Sequence, residues 1–125
     1  MVEECRTPAE VSDRFADAIN AGDLEGALEC WSPAAVIATP GDSEVRGRDA
    51  LTERFRGLIA VGAQLKISIS DEVCTEFGAM ATTRMTMTVP TNDGPAVIEV
   101  AAVVAYVPGP RGLQILIDHL KPKPT

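Results

Sequence analysis

The sequence is short of most residue types from which reactive sites are commonly built. Its 125 residues include one histidine, His119, one tryptophan, Trp31, one tyrosine, Tyr106, and three phenylalanines. One imidazole cannot supply a multi-histidine metal centre. The three cysteines, Cys5, Cys30 and Cys74, lie far apart without CxxC spacing, so no metal site is expected. Scattered thiols, odd in number, fit reduced cysteines and a cytoplasmic setting. Basic residues are also scarce: 11 Lys and Arg against 18 Asp and Glu leave a net charge of −7. A nucleic-acid face needs clustered cations, and no basic run exists, so no nucleic-acid partner is expected. No apolar run reaches the length of a membrane span, and no basic stretch leads into an apolar one near residue 1. Neither a membrane association nor a secretion signal is therefore expected. There is no phosphate loop or dinucleotide fingerprint, so no cofactor is expected either.

What is present reads as one domain over residues 1–125, with 121–125 as a flexible tail. A chain of this size buries roughly two-thirds of its unfolded surface, enough for a core without staples. Thr7-Pro8-Ala9-Glu10 is a helix start: a capping hydroxyl, a proline at the first helical position, and a glutamate three residues after the cap. Val11, Phe15, Ala18 and Ile19 then share one helical face, and Asn20 and Gly22 end the helix. Asp23 can cap a short second helix burying Leu24, Ala27, Leu28 and Trp31, which Pro33 stops. Val36 to Thr39 and Glu44 to Arg46 read as two short strands. Pro40 and Gly41 hold the central positions of a type II turn between them. A third helix begins near Asp49, buries Leu51, Phe55, Leu58 and Ile59, and ends at Gly62.

Beyond Gly62 the hydrophobic period falls to two. Leu65, Ile67 and Ile69 alternate with polar residues, and Met80 to Val89 is a strand with two distinct faces. Asn92-Asp93-Gly94 turns the chain. Ala96 to Val107 is almost wholly apolar and is expected to be covered on both sides. Leu113 to Leu120 is the last strand. Three helices followed by a meander of long strands is an α+β arrangement. About six strands are expected in a curved mixed sheet, with the early hairpin joining it and the three helices over its concave face.

Phe15 with Ala18 and Asn20, the step Ala21-Gly22-Asp23-Leu24, Trp31 before Pro33, Ala35-Val36, Pro40, Gly47-Arg48, Asp49-Ala50 and the closing Ile117-Asp118-His119 together resemble the SnoaL-like branch of the ketosteroid isomerase and nuclear transport factor 2-like superfamily. The resemblance implies a conical sheet with a small-molecule pocket. Ketosteroid isomerases use an Asp base before the first hairpin's proline, a Tyr on the first helix and an Asp on the penultimate strand. The corresponding positions hold Thr39, Phe15 and Ala102, so that mechanism lacks its groups. Limonene epoxide hydrolases pair Arg-x-Asp on one strand with an Asp on the last. The corresponding positions hold Arg84, Thr86 and Asp118.

These considerations select Asp118 as acid–base group and Arg84 as an anchor for a substrate oxygen. Phe15, Trp31, Thr39, Phe55, Met80, Thr82, Tyr106 and Leu116 are expected to line the pocket with them. Arg84, Met80 and Thr82 share one strand face by alternation, and Asp118 and His119 must face opposite ways. The expected function is acid–base isomerisation, cyclisation or hydrolysis of a small apolar molecule. The alternative is a non-catalytic ligand-binding or dimerisation module. The odd-numbered faces of residues 81–89 and 97–107 are too apolar for water, and they predict a homodimer through the outer side of the sheet.

Overall fold

In a computed structural model, residues 7–121 are described apart from Asp42 and Arg111. Helix α1 spans Pro8–Asn20, α2 Leu24–Glu29 and α3 Arg48–Ala60. The strands are β1 Trp31–Ala38, β2 Val45–Arg46, β3 Gln64–Thr75, β4 Gly78–Thr91, β5 Gly94–Gly109 and β6 Gly112–Leu120. All six form one unclosed mixed sheet in the order β2-β1-β6-β5-β4-β3. β1 and β6 are parallel and every other pair is antiparallel.

The helix ends follow from local chemistry. The Thr7 hydroxyl accepts from the Glu10 N–H at 3.2 Å, and the Asp23 carboxylate from the Gly26 N–H at 2.9 Å. Gly22 takes φ 74 to turn the chain between α1 and α2. Trp31 differs from expectation. It begins β1, opposite Ile115, and does not extend α2. Trp31 and Ile37, an even number of residues apart, are both buried, and the pairing of β1 with β6 shifts register between Trp31 and Val36.

The helices close over the inner face of the sheet through three aromatic rings. Phe15 of α1, Phe55 of α3 and Trp31 of β1 meet pairwise with centroids 5.1–5.5 Å apart, in tilted or edge-on arrangements. Each such pair adds about 0.5–1.5 kcal/mol beyond its buried area. Around them lie Val11, Ile19, Leu51 and Tyr106, each at most 2% exposed.

Strand β5 is not covered on both sides as its composition predicts. Its first half is bare, with Val97 62% exposed. The reason is length: β6 pairs with β5 only from Ala102 onward, so residues 94–101 of β5 have a strand neighbour on the β4 side alone and form an open edge of the sheet. Cys30 is buried and Cys74 exposed, both as free thiols; Cys5 and the expected tail beyond Lys121 lie outside the described residues.

The Asn20 side chain joins α1 to the sheet. Its Nδ2 donates to the Leu65 carbonyl at 2.9 Å, and its Oδ1 accepts from the Leu65 N–H at 2.6 Å. The amide thus replaces a strand partner for the start of β3. Asn20→Ala leaves both Leu65 groups unpaired and is expected to cost about 2–4 kcal/mol, at roughly 1–2 for each group. Urea denaturation of the variant against wild type measures this.

Candidate functional site

The site forms where the inner face of the sheet passes beneath α1. Alternation along β5 points Val100, Ala102, Val104 and Tyr106 inward. On β4 the inward set is Ala79, Ala81, Thr83 and Met85. These residues, with Phe15 and Ser12 from above, Trp31 and Ile115 at the closed end, and Ile67 and Leu120 at the side, enclose a narrow cavity of about 40 Å3. That is room for a few waters or the end of a small molecule.

Asp118 reaches this cavity because of an irregularity in β6. Tyr106 pairs with Ile115 but Ala105 pairs with Ile117, so Leu116 is an extra residue without a partner on β5. Without it, Ile115, Ile117 and His119 would share the inner face. With it, Ile115 and Asp118 both face inward, and Ile117, 42% exposed, faces out. A bulge of this kind re-aims every side chain after it.

The cavity is almost wholly apolar, so its few polar atoms carry the electrostatics. Asp118 Oδ1 is shielded from solvent and has no hydrogen-bond partner among the described residues. Burial of its carboxyl pushes the pKa up to about 6 from 3.8. Tyr106 Oη and Ser12 Oγ share a buried hydrogen bond of 3.1 Å. Burial first, opposed by that bond and reinforced by the charges of Asp118 and Glu72, raises the Tyr106 pKa to about 12. The phenol therefore stays protonated. Trp31 Nε1 is also buried without a partner. The polar groups on the lining residues are thus the Asp118 carboxyl, the Tyr106–Ser12 pair, the Thr83 hydroxyl and the Trp31 indole N–H. Among the described residues, no Lys, Arg or His lines the cavity.

Of the residues selected from the sequence, Asp118, Tyr106, Trp31 and Phe15 come together here. Arg84 does not. It is exposed on the outer face, opposite Ala101, and that face also carries the exposed Met80 and the half-buried Thr82, which border an open groove at the β3–β4 hairpin. The expected Arg84–Asp118 pair is therefore corrected, because the two residues lie on opposite sides of the sheet. The physical reason is hydrophobicity: the odd-numbered set, Ala81, Thr83, Met85 and Met87, is the more apolar face of β4 and packs against the core, Ala81 and Thr83 fully buried and the two methionines partly. Thr39 follows the end of β1 and does not line the cavity, Phe55 packs behind the other rings, and Leu116 is the bulge residue. Ser12 and Thr83 were not anticipated. Each had a signal: both are polar residues on an otherwise apolar, core-facing set.

Residues 12–109 match the profile of the SnoaL-like domain. The chain belongs to the SnoaL-like domain family. No curated protein of known function matches it. Among solved structures it is similar to a Mycobacterium tuberculosis protein of unknown function, at 18% identity and TM-score 0.77, over 94% of this chain and 70% of that one. A nuclear transport factor 2-like protein with a cystatin-like fold from Novosphingobium aromaticivorans is 18% identical with TM-score 0.74, over 89% and 76%. A ketosteroid isomerase-like protein from Erwinia carotovora atroseptica is 15% identical with TM-score 0.73, over 93% and 94%. At these identities the likeness concerns the SnoaL-like fold.

The buried carboxyl makes the stability of this SnoaL-like domain depend on pH. The folded pKa of Asp118 lies above the unfolded value. Its contribution is therefore most favourable below about pH 4 and is lost as pH rises through 6. Above that window the ionised group costs about 3 kcal/mol. Asp118→Asn is expected to be more stable than wild type at pH 7.5, and its advantage should shrink by about 1 kcal/mol on going down to pH 5. Urea midpoints at the two pH values measure the difference.

Proposed function

We propose that the protein is an enzyme that acts by acid–base catalysis on a small, uncharged, mostly apolar molecule, with Asp118 as the group that takes and returns the proton. One observation carries the reading: a carboxyl whose Oδ1 is shielded and has no partner among the described residues lines an apolar cavity. A carboxyl needed only for structure would be expected to hold a hydrogen bond there, since leaving it bare is costly. A carboxyl titrating near 6 is matched to proton transfer at neutral pH. Trp31 Nε1 and the Tyr106–Ser12 hydroxyl pair supply the donors that would hold a substrate oxygen as it gains charge. They take the anchoring role for which Arg84 was selected. Isomerisation, cyclisation and hydrolysis all fit this set of groups, and the ketosteroid isomerase-like neighbour supports the same class. The exposed, free Cys74 fits a reducing cytoplasm.

A thermal-shift panel of epoxides, enones, polyketide fragments and carboxylates tests the pocket. A ligand at 100 times its dissociation constant adds about 2.7 kcal/mol of stability. Uncharged members are expected to raise Tm. Carboxylates are not, because no cation lines the cavity and Asp118 repels them. For any compound turned over, Asp118→Asn should abolish turnover and keep affinity within about tenfold. Binding without turnover of any compound would favour a non-catalytic ligand-binding module.

A second reading concerns assembly. Val73, Met80, Ala105 and Ile117 lie side by side in register across β3, β4, β5 and β6 on the outer face. Val73 is 67% and Met80 54% exposed. Arg84 and Glu99 stand one diagonal step apart on the same face, so it carries both signs of charge and can complement itself. We propose a symmetric homodimer through this face, built from the odd-numbered side of β5, as expected, but from the even-numbered side of β4, because the odd-numbered side of residues 81–89 expected there faces the core. Light scattering at micromolar concentration should give a dimer, and Met80→Lys a monomer. A monomeric wild type would contradict the proposal.

A further inference from the structure

The inner face of the sheet does not stop where the cavity does. Met85 and Val100 form the mouth, opposite each other on β4 and β5. One step further along both strands, on the same face, Met87 stands opposite Ile98. β6 begins to pair with β5 only at Ala102, so Ile98 lies on the open edge of β5 and is 38% exposed, while Met87 is half-buried and pairs on its other side with Leu65 of β3. The cavity and this edge thus form one continuous apolar track. Its inner end holds polar atoms, and its outer end is the Met87–Ile98 pair. From Val104, opposite Asp118, to Ile98 the track runs six residue steps along β5, or about 20 Å at strand rise.

We propose that the ligand is an elongated amphipathic molecule with an uncharged hydroxyl-bearing head and an aliphatic tail, bound head-first, its tail lying along Met85, Met87, Val100 and Ile98. This rests on the reading of the Asp118 cavity as a ligand site and adds the shape and orientation of the occupant. The head follows from the polar groups. A hydroxyl has the donor that Asp118 Oδ1 lacks and the acceptor that Trp31 Nε1 lacks, both buried atoms of lining residues without a partner among the described residues. A carboxylate or phosphate head is disfavoured beside Asp118, with no cation in the lining. The tail follows from volume. About 40 Å3 accommodates a head and little more, so the rest of any larger ligand must leave past Met85 and Val100. The apolar surface in its path is the Met87–Ile98 pair.

Straight-chain primary alcohols from 1-butanol to 1-dodecanol test this, with dissociation constants measured by calorimetry or by displacement of a fluorescent alcohol. Affinity should rise about fourfold for each added methylene over the middle of the series, the value for a buried CH2. In Ile98→Ser and in Ile98→Asp, the ratio of 1-decanol to 1-butanol affinity should fall at least fivefold. In Val97→Ser, the neighbouring residue on the outer face, the ratio should stay as in wild type. An unchanged ratio in both Ile98 variants would overturn the tail path while leaving the cavity in place. Asp118→Leu, which removes the acceptor, should weaken every alcohol by a similar factor. Unchanged affinity for all of them in that variant would overturn the head placement. Weaker binding of long alcohols than of short ones by wild type would overturn the amphipathic ligand itself.

Discussion

The chemistry of this fold depends on one residue of slack in the last strand. Leu116 has no partner on β5, and that extra residue decides whether a carboxylate or an imidazole enters the interior. With the bulge, Asp118 faces the cavity and the only histidine faces away; without it, the two exchange. Ladder hydrogen bonds hold the new phase on both sides of β6, since Asp118 pairs with Val104 on β5 and with Ile37 on β1. Sheet bulges commonly mark places where a side chain must be aimed, and here the aimed group is an acid.

Aiming an acid into an apolar interior is costly, and nothing in the described surroundings offsets the cost. No cation approaches the carboxyl, and Oδ1 accepts no bond. The fold tolerates this because the aromatic cluster of Phe15, Trp31 and Phe55 and the Asn20–Leu65 bonds clamp the helices to the sheet independently of Asp118. Stability and chemistry are thus drawn from different residues. The polar end of the cavity has its own division of labour: Tyr106 and Ser12 satisfy each other, while Trp31 Nε1 and Asp118 are left for an occupant. An interior that leaves one donor and one acid unpaired is arranged for something with both an acceptor and a proton to give or take.

Most of the architecture was legible in the residues themselves. The caps at Thr7 and Asp23, the turns at Gly22, Pro40-Gly41 and Asp93-Gly94, and the change of period after Gly62 marked the three helices and the long strands where they occur. The limits arose where local pattern does not determine geometry. In β4 both faces contain threonine and methionine, and the likeness of Arg84 to an epoxide hydrolase arginine selected the face that burial rejects. The more apolar odd-numbered set, Ala81, Thr83, Met85 and Met87, was the better guide. Tyr106 was legible as inward-facing, but its Ser12 partner is 94 residues away and no local signal joins them. The bulge at Leu116 lies in an unbroken apolar run, where neither Gly nor Pro marks it. The sequence could therefore establish that only one of Asp118 and His119 enters the pocket, and the pairing of β5 with β6 decides which.

The central claim is that Asp118 is an ionisable group held in an apolar cavity and open to a ligand. A 13C NMR titration of the aspartate side-chain carboxyls, with the Asp118 signal assigned by its loss in Asp118→Asn, tests it most directly. The account predicts a midpoint near 6 for that signal, displaced when an uncharged alcohol is bound. A midpoint near 4, the same with and without the alcohol, would mean that the carboxyl is solvated and that the cavity is not built around it.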